Sequence, residues 1–174
     1  MKINPKALLL ARLTEEELTD LANFDCGDEE MNEYLVKEAF VSQELGMNTT
    51  TLLYYEGRLA AFCSICADSI RLAEEEKGDD LPLTNVPAIK IARLGRDKEF
   101  KEYGFGQYLI QHTILKALEI AEASCGVRFI TLDAYPERIK LYEDIGFVRN
   151  ESYKKRTMRI SMRFDIYNPP AIES

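Results

Sequence analysis

The segment Ile89 to Gly106, IKIARLGRDKEFKEYGFG, runs directly into QYLIQHTILKALEIAEA. A β-rich run, a charged turn and a long helix follow one another, and this order limits the fold more than any other part of the chain. The first turn of a helix leaves backbone N–H groups unbonded at the positive end of the helix dipole. Anions collect there, each favourable contact contributing about 0.3–1 kcal/mol on an exposed surface. Gly104 and Gly106 remove side chains where oxygen atoms must approach the backbone, and Lys101 adds a cation beside the loop. The segment therefore predicts a phosphate cradle. It is not a Walker loop, because GxxxxGK followed by Ser or Thr is absent. It is not a full Rossmann fingerprint either, since only the first GxG is present and Tyr108 and Leu109 follow Gln107.

The 174 residues suffice for one domain with a sizeable core, and 46% hydrophobic with 30% charged residues is a globular balance. A single domain over 1–174 is expected. No apolar run approaches the roughly 20 residues of a membrane helix. The N-terminal MKINPKALLLARLTEEE has only a short apolar stretch followed at once by acids, unlike a signal peptide. A cytoplasmic protein with reduced thiols is expected. Among the four cysteines, Cys63 and Cys66 form a CxxC, but on a strand residues three apart face opposite ways. The only histidine, His112, falls on a helix. No metal site is expected, and the cysteines read as small hydrophobes. A net charge of −8 excludes a broad nucleic-acid footprint and leaves only a local basic patch for such a partner.

Along the chain, Ala7 to Leu13 reads as an opening strand. Thr14 with Glu17 forms a capping-box pattern. A second helix is expected from Asp28 to about Leu45, with Met31, Tyr34, Leu35, Glu38, Ala39 and Ser42 on one stripe and Gly46 at its end. Thr49–Tyr55 and Arg58–Ala67, joined by Glu56-Gly57, predict a hairpin. The acids Glu74, Glu75, Glu76, Asp79 and Asp80 read as a solvated loop. Ala88–Gly95 is a strand, and Gly104–Ala123 a helix whose Leu109, Ile110, Thr113, Ile114, Ala117, Leu118 and Ala121 recur at helical spacing. Val127–Leu132 is a further strand, followed by a short helix from Pro136 to Gly146. Thr157–Asp165 alternates, with Met158, Ile160, Met162 and Phe164 on one face, as a half-buried strand does. Its amphipathic edge offers a pairing surface for a homodimer.

The wider pattern carries a resemblance. Lys101-x-x-Gly104-x-Gly106, after a strand and before a long helix, resembles the Q/R-x-x-G-x-G/A signature of the GNAT superfamily of acyl-CoA N-acyltransferases. Leu141-Tyr142-Glu143-Asp144-Ile145-Gly146-Phe147 is similar to the family's FYERFGF ending. Phe24-Asp25-Cys26-Gly27, then MNEYL and VPAIKIARLGRD, resemble the branch that contains tRNA-acetylating toxins. Three positions depart from pattern: Lys101 replaces Gln or Arg, Arg96 precedes the Asp where a small or aliphatic residue is usual, and DAYPERIK lacks the family's frequent Asn.

The resemblance implies an α/β GNAT fold, a mixed central sheet flanked by helices, and acetyl-CoA as co-substrate. It implies that backbone groups of Leu94, Gly95 and Arg96 meet the pantetheine arm and thioester. The backbone of Lys101, Glu102, Tyr103, Gly104, Phe105, Gly106 and Gln107 would hold the pyrophosphate. Tyr142 matches the family's general-acid tyrosine; a phenol of pKa about 10 stays protonated at neutral pH and can protonate a leaving thiolate. No general base stands out: Glu99, Glu102 and Glu137 are near only in sequence. Three readings follow. The first is an N-acetyltransferase for the primary amine of a small molecule or protein. The second is a toxin-like enzyme acting on aminoacyl-tRNA through Lys154, Lys155, Arg156, Arg159 and Arg163. The third is a non-catalytic acyl-CoA-binding module.

Overall fold

The computed structural model describes residues 3–77, 81–82, 84–151 and 158–169. Elements follow the order β1 (Leu8–Arg12), α1 (Leu18–Leu21), α2 (Glu29–Glu33), α3 (Ala39–Glu44), β2 (Thr49–Tyr55), β3 (Arg58–Arg71), β4 (Asn85–Arg96), α4 (Phe105–Ala123), β5 (Phe129–Ala134), α5 (Ile139–Ile145), β6 (Val148–Arg149) and β7 (Ile160–Asp165). The strands form a seven-stranded mixed sheet in the order β1-β2-β3-β4-β5-β7-β6. Two compact units divide the chain: Met1–Cys66 with Ile91–Thr113, and Ala67–Lys90 with Ile114–Ser174.

In the first unit, β1, β2 and β3 are antiparallel, Leu8 pairing Tyr55 and Thr50 pairing Ser64. The hairpin turn uses left-handed φ values of 51° at Glu56 and 76° at Gly57, which matches the right-handed twist of the strands it joins. Thr14 forms the capping box with Glu17. The second helix begins where Asp28 accepts from the Met31 N–H, but a π-turn over Tyr34–Glu38 separates α2 from α3. The wider turn shifts the inward stripe by a residue. Tyr34, Leu35 and Ala39 are buried as expected, but Gln43 is buried in place of Ser42, and Glu38 is exposed. Gln43 is accommodated by two hydrogen bonds: its Nε2 donates to the Leu13 carbonyl at 2.7 Å, and its Oε1 accepts from Thr50 N–H at 3.0 Å.

In the second unit, β4 pairs β5 in parallel through Ala88↔Phe129, Ile89↔Ile130 and Lys90↔Thr131. β5 pairs β7 antiparallel from Phe129↔Asp165 to Ala134↔Ile160, and β6 adds Val148↔Arg163 and Arg149↔Met162. The predicted alternation holds within β7, where Met162 and Phe164 are buried, but Met158 precedes the strand and is 86% exposed. Thr157, Asp79 and Asp80 lie outside the described residues. A further expectation fails. Glu76 is not solvated: its side chain is 6% exposed and pairs with Arg163, itself 12% exposed, at 2.8 Å. The Glu76 carboxylate also accepts from the N–H groups of Ala73 and Glu151, and Arg163 donates to Asn150 Oδ1 at 2.7 Å. The partners lie 87 positions apart, so the local acidic run carries no sign of the pair.

Candidate functional site

The site begins at the end of β4. Leu94, Gly95 and Arg96 lie beyond the stretch that pairs with β5, and the Asp97 N–H donates to the Ala60 carbonyl on the β3 side. Gly95 has a packing reason to be glycine: a Cβ there would stand 2.5 Å from Phe62 Cε1. Phe62 is fully buried, meets Phe24 edge-on at a centroid separation of 5.4 Å, and is stacked by Tyr34 at 6.3 Å. The backbone at Gly95 therefore rests directly on a core aromatic.

The turn after β4 runs over Lys98–Tyr103 as 3-10 helix and ends at Gly104, whose φ of 69° is left-handed and favours glycine. Tyr55, Phe100, Tyr103 and Phe105 form a four-ring cluster with neighbouring centroids 5.2–6.2 Å apart. The side chains of Tyr103 and Phe105 are thus engaged by the protein, Phe105 being fully buried. Gly106 differs from both other glycines: its φ is not left-handed, and an added Cβ would meet nothing within 4 Å. Neither strain nor packing requires glycine there, which fits a cradle that a Cβ would fill.

Tyr108 N–H makes the first intrahelical bond of α4, to the Gly104 carbonyl at 3.0 Å. The N–H groups of Phe105, Gly106 and Gln107 precede it, in the turn an α-helix leaves without intrahelical acceptors. Glu15, Glu16 and Glu17 crowd the turn after Thr14, and Glu29 and Glu30 the start of α2, yet α4 has no acid in its first turn. Lys101, Glu102 and Gln107 are exposed, and Arg96 turns its Nη1 onto the Asp97 carbonyl. Such an end can hold a phosphate through backbone dipoles, with Lys101 adding charge.

The Phe24–Gly27 loop is bound into this region. Asp25 N–H donates to Asp97 Oδ2 at 3.0 Å, and Lys98 N–H donates to the Asp25 carbonyl at 2.9 Å. The Asp25 carboxylate takes Lys98 Nζ at 2.5 Å, Gly27 N–H at 2.8 Å and Asn32 Nδ2 at 3.0 Å. The Lys98 hydrogen bond, helped by the Gly27 N–H, lowers its pKa to about 2. Burial pushes the neighbouring Cys26 thiol up, opposite to the shift a nucleophilic thiolate needs. Asp97, absent from the sequence-predicted site, joins these two segments; its place in Gly95-Arg96-Asp97 was the sequence signal available for it.

In the second unit, Tyr142 sits half-buried on α5, edge-on to Phe147 at 5.8 Å, and its carbonyl accepts from Gly146 and Phe147 as the helix closes at Gly146, φ 113°. Lys90 pairs with Asp133 at 2.6 Å, and the Thr131 hydroxyl donates to Asp68 at 2.5 Å. Arg159 lies over the Tyr135 ring and donates to its hydroxyl at 2.6 Å. Arg163 is withdrawn from any contact surface by Glu76. Lys154, Lys155 and Arg156 lie outside the described residues. The predicted donor-binding positions all belong to the first unit, and Tyr142 belongs to the second. Among the described residues, no group of three His, Cys, Asp or Glu could hold a metal ion, and no helix is long and apolar enough to cross a membrane.

Comparison with solved structures decides the architecture. A mutant of KacT superposes with a TM-score of 0.80 at 17% identity, covering 92% of this chain and 96% of that one. AtaT complexed with acetyl-methionyl-tRNAfMet gives 0.79 at 20% identity over 92% and 95%. The fold is that of the GNAT acetyltransferases. A mutant AtaT bound to acetyl-CoA and the C-terminus of the antitoxin AtaR gives 0.76 at 18% identity over 92% and 94%. A tRNA-acetylating toxin of Mycobacterium tuberculosis is 23% identical over 124 residues, 71% of this chain and 74% of its own length. No protein-family model matches the chain.

Proposed function

We propose that this chain is an acetyl-CoA-dependent N-acetyltransferase whose acceptor is the amine of an aminoacyl-tRNA. The observation that carries the donor side is the α4 N-terminus, where Gly104 is required by its backbone and Gly106 is required by nothing in the protein. The reading assigns the pyrophosphate to the backbone from Lys101 through Glu102, Tyr103, Gly104, Phe105 and Gly106 to Gln107. It assigns the pantetheine arm to the backbone of Leu94, Gly95 and Arg96. Residues 1–174 are taken as one catalytic domain, because β3, β4 and α4 each run from one compact unit into the other.

Bound acetyl-CoA supplies an acetyl thioester. The chain's residues hold it, and Tyr142 gives the phenolic proton to the departing sulfur as the C–N bond forms and the C–S bond breaks. The proton lost by the amine passes to water. A positioned proton donor of this kind contributes about 10²–10⁴-fold to rate. The similar structures include tyrosine-to-phenylalanine mutants of KacT and of AtaT, and a tyrosine is the residue assigned here.

The acceptor assignment is supported by the tRNA-bound AtaT structure and the curated toxin relative. With a net charge of −8, nucleic-acid contact must be local, and its affinity should fall only shallowly with salt compared with a basic protein. The test is transfer of radiolabelled acetyl from acetyl-CoA to a set of aminoacyl-tRNAs, with small amines and peptides run in parallel. Label on the aminoacyl amine supports the proposal. Label only on small amines or peptides returns the broader acetyltransferase reading, and binding without transfer favours an acyl-CoA-binding module.

A further inference from the structure

We infer that Asp97 is a positioning residue, the buried joint through which the Phe24–Gly27 loop sets the geometry of the phosphate cradle. Asp97 is 4% exposed, so its carboxylate needs internal partners. It finds them in two backbone N–H groups from distant parts of the chain: Asp25, accepted by Oδ2 at 3.0 Å, and Glu99, accepted by Oδ1 at 2.9 Å. The second bond caps the 3-10 turn that delivers the chain to Gly104 and α4. The first ties that cap to a loop 72 positions earlier. The return bond from Lys98 N–H to the Asp25 carbonyl makes the junction two-stranded. Above it, Phe24 packs on Phe62 and Phe62 on Gly95. The loop therefore grips the end of β4 at two levels, by aromatic packing at Gly95 and by backbone hydrogen bonding at Asp97. Cys26 and Gly27 serve the same loop: Cys26 N–H donates to Asn32 Oδ1 at 3.0 Å, and Gly27 supplies a left-handed φ of 81°. The Phe24–Gly27 motif and the Gly95–Asp97 motif are thus the two halves of one device, and none of their side chains needs to touch the ligand.

The inference rests on the cradle being the donor site, and the experiment separates the two. Asp97→Asn leaves one oxygen able to accept, so one backbone N–H becomes an unpaired buried donor. Hydrogen–deuterium exchange over 98–107, measured without ligand, should quicken about tenfold, the size such a loss implies. KM for acetyl-CoA should rise by a similar factor while kcat and the acceptor KM stay within about twofold. Gly27→Ala is the second variant. Its Cβ meets nothing within 4 Å, so it acts only through the strained φ of the loop, and the same exchange change is expected at 98–107. Lys98→Ala removes only an exposed ion pair and should leave both readouts unchanged. Wild-type exchange at 98–107 in both Asp97→Asn and Gly27→Ala overturns the inference, as does a fall in kcat with KM unmoved. If Asp97→Asn does not fold, Gly27→Ala decides alone. Faster exchange in a protein whose wild type binds no acetyl-CoA supports the joint and overturns only the donor-site reading.

Discussion

The cradle in the first unit and the Glu76–Arg163 region in the second are held by opposite means. Around the cradle the fixing groups are glycines, ring packing and backbone hydrogen bonds: Gly95 under Phe62, Gly104 in a left-handed conformation, and Asp97 between two N–H groups. Around Glu76 a largely buried charge pair does the holding, with Asn150, Ala73 and Glu151 completing it. A site that binds by backbone, as proposed for the cradle, is indifferent to most side-chain exchange and is damaged by added bulk. A region that depends on a buried ion pair tolerates bulk poorly only where the charges meet, and is damaged by losing one partner.

That contrast is broken or sharpened by substitution. The largest effect belongs to Tyr142→Phe in the second unit, where kcat should fall by about 10²–10⁴ with KM for acetyl-CoA unchanged, Phe keeping the edge contact with Phe147. Steady-state thiol release measures it; a raised KM with kcat intact would make Tyr142 a packing residue. Next comes Glu76→Gln, which leaves the largely buried Arg163 without its counter-charge and should lower unfolding free energy by up to about 3 kcal/mol in urea titrations. In the first unit, Gly95→Ala should cost about 1–3 kcal/mol by overpacking against Phe62, with Phe62→Leu in the same chain recovering part of it. The smallest effect is acidic. Asp25 titrates near 2 when folded, against an ordinary 3.8, so its contribution is complete above the unfolded value and is lost as pH falls toward 2. The urea midpoint should decline between about pH 4 and 2, and Asp25→Asn should flatten that decline.

The sequence was readable where a local rule sufficed. Thr14 with Glu17, Glu56-Gly57 in the hairpin, and the strand–turn–helix from Ile89 all appear as their residues predict, because capping, turn handedness and periodicity are local properties. It misled where partners were remote or spacing was irregular. Glu76 resembles its acidic neighbours until Arg163 is brought to it across 87 positions. Ser42 fell on the predicted stripe because helical spacing was assumed through Tyr34–Glu38, where the chain makes a π-turn. Within the candidate site, Gly104 and Gly106 were legible as a pair but not as different: one answers to φ, and the other has no internal reason. Asp97 was visible as part of a motif, while its function as a joint needed the loop at Asp25 to be placed against it.

The central claim is that Gly106 is glycine for a ligand. Calorimetric titration of acetyl-CoA into wild type and Gly106→Ala tests it most directly, with urea unfolding run on both proteins. The helix should be no less stable with alanine, which is favoured over glycine by up to about 1 kcal/mol in helical positions. The account predicts one-to-one binding by wild type and binding weakened about tenfold or more, the equivalent of about 1.4 kcal/mol, in an equally stable variant. Identical isotherms for the two proteins, or no binding by wild type at millimolar acetyl-CoA, would contradict it.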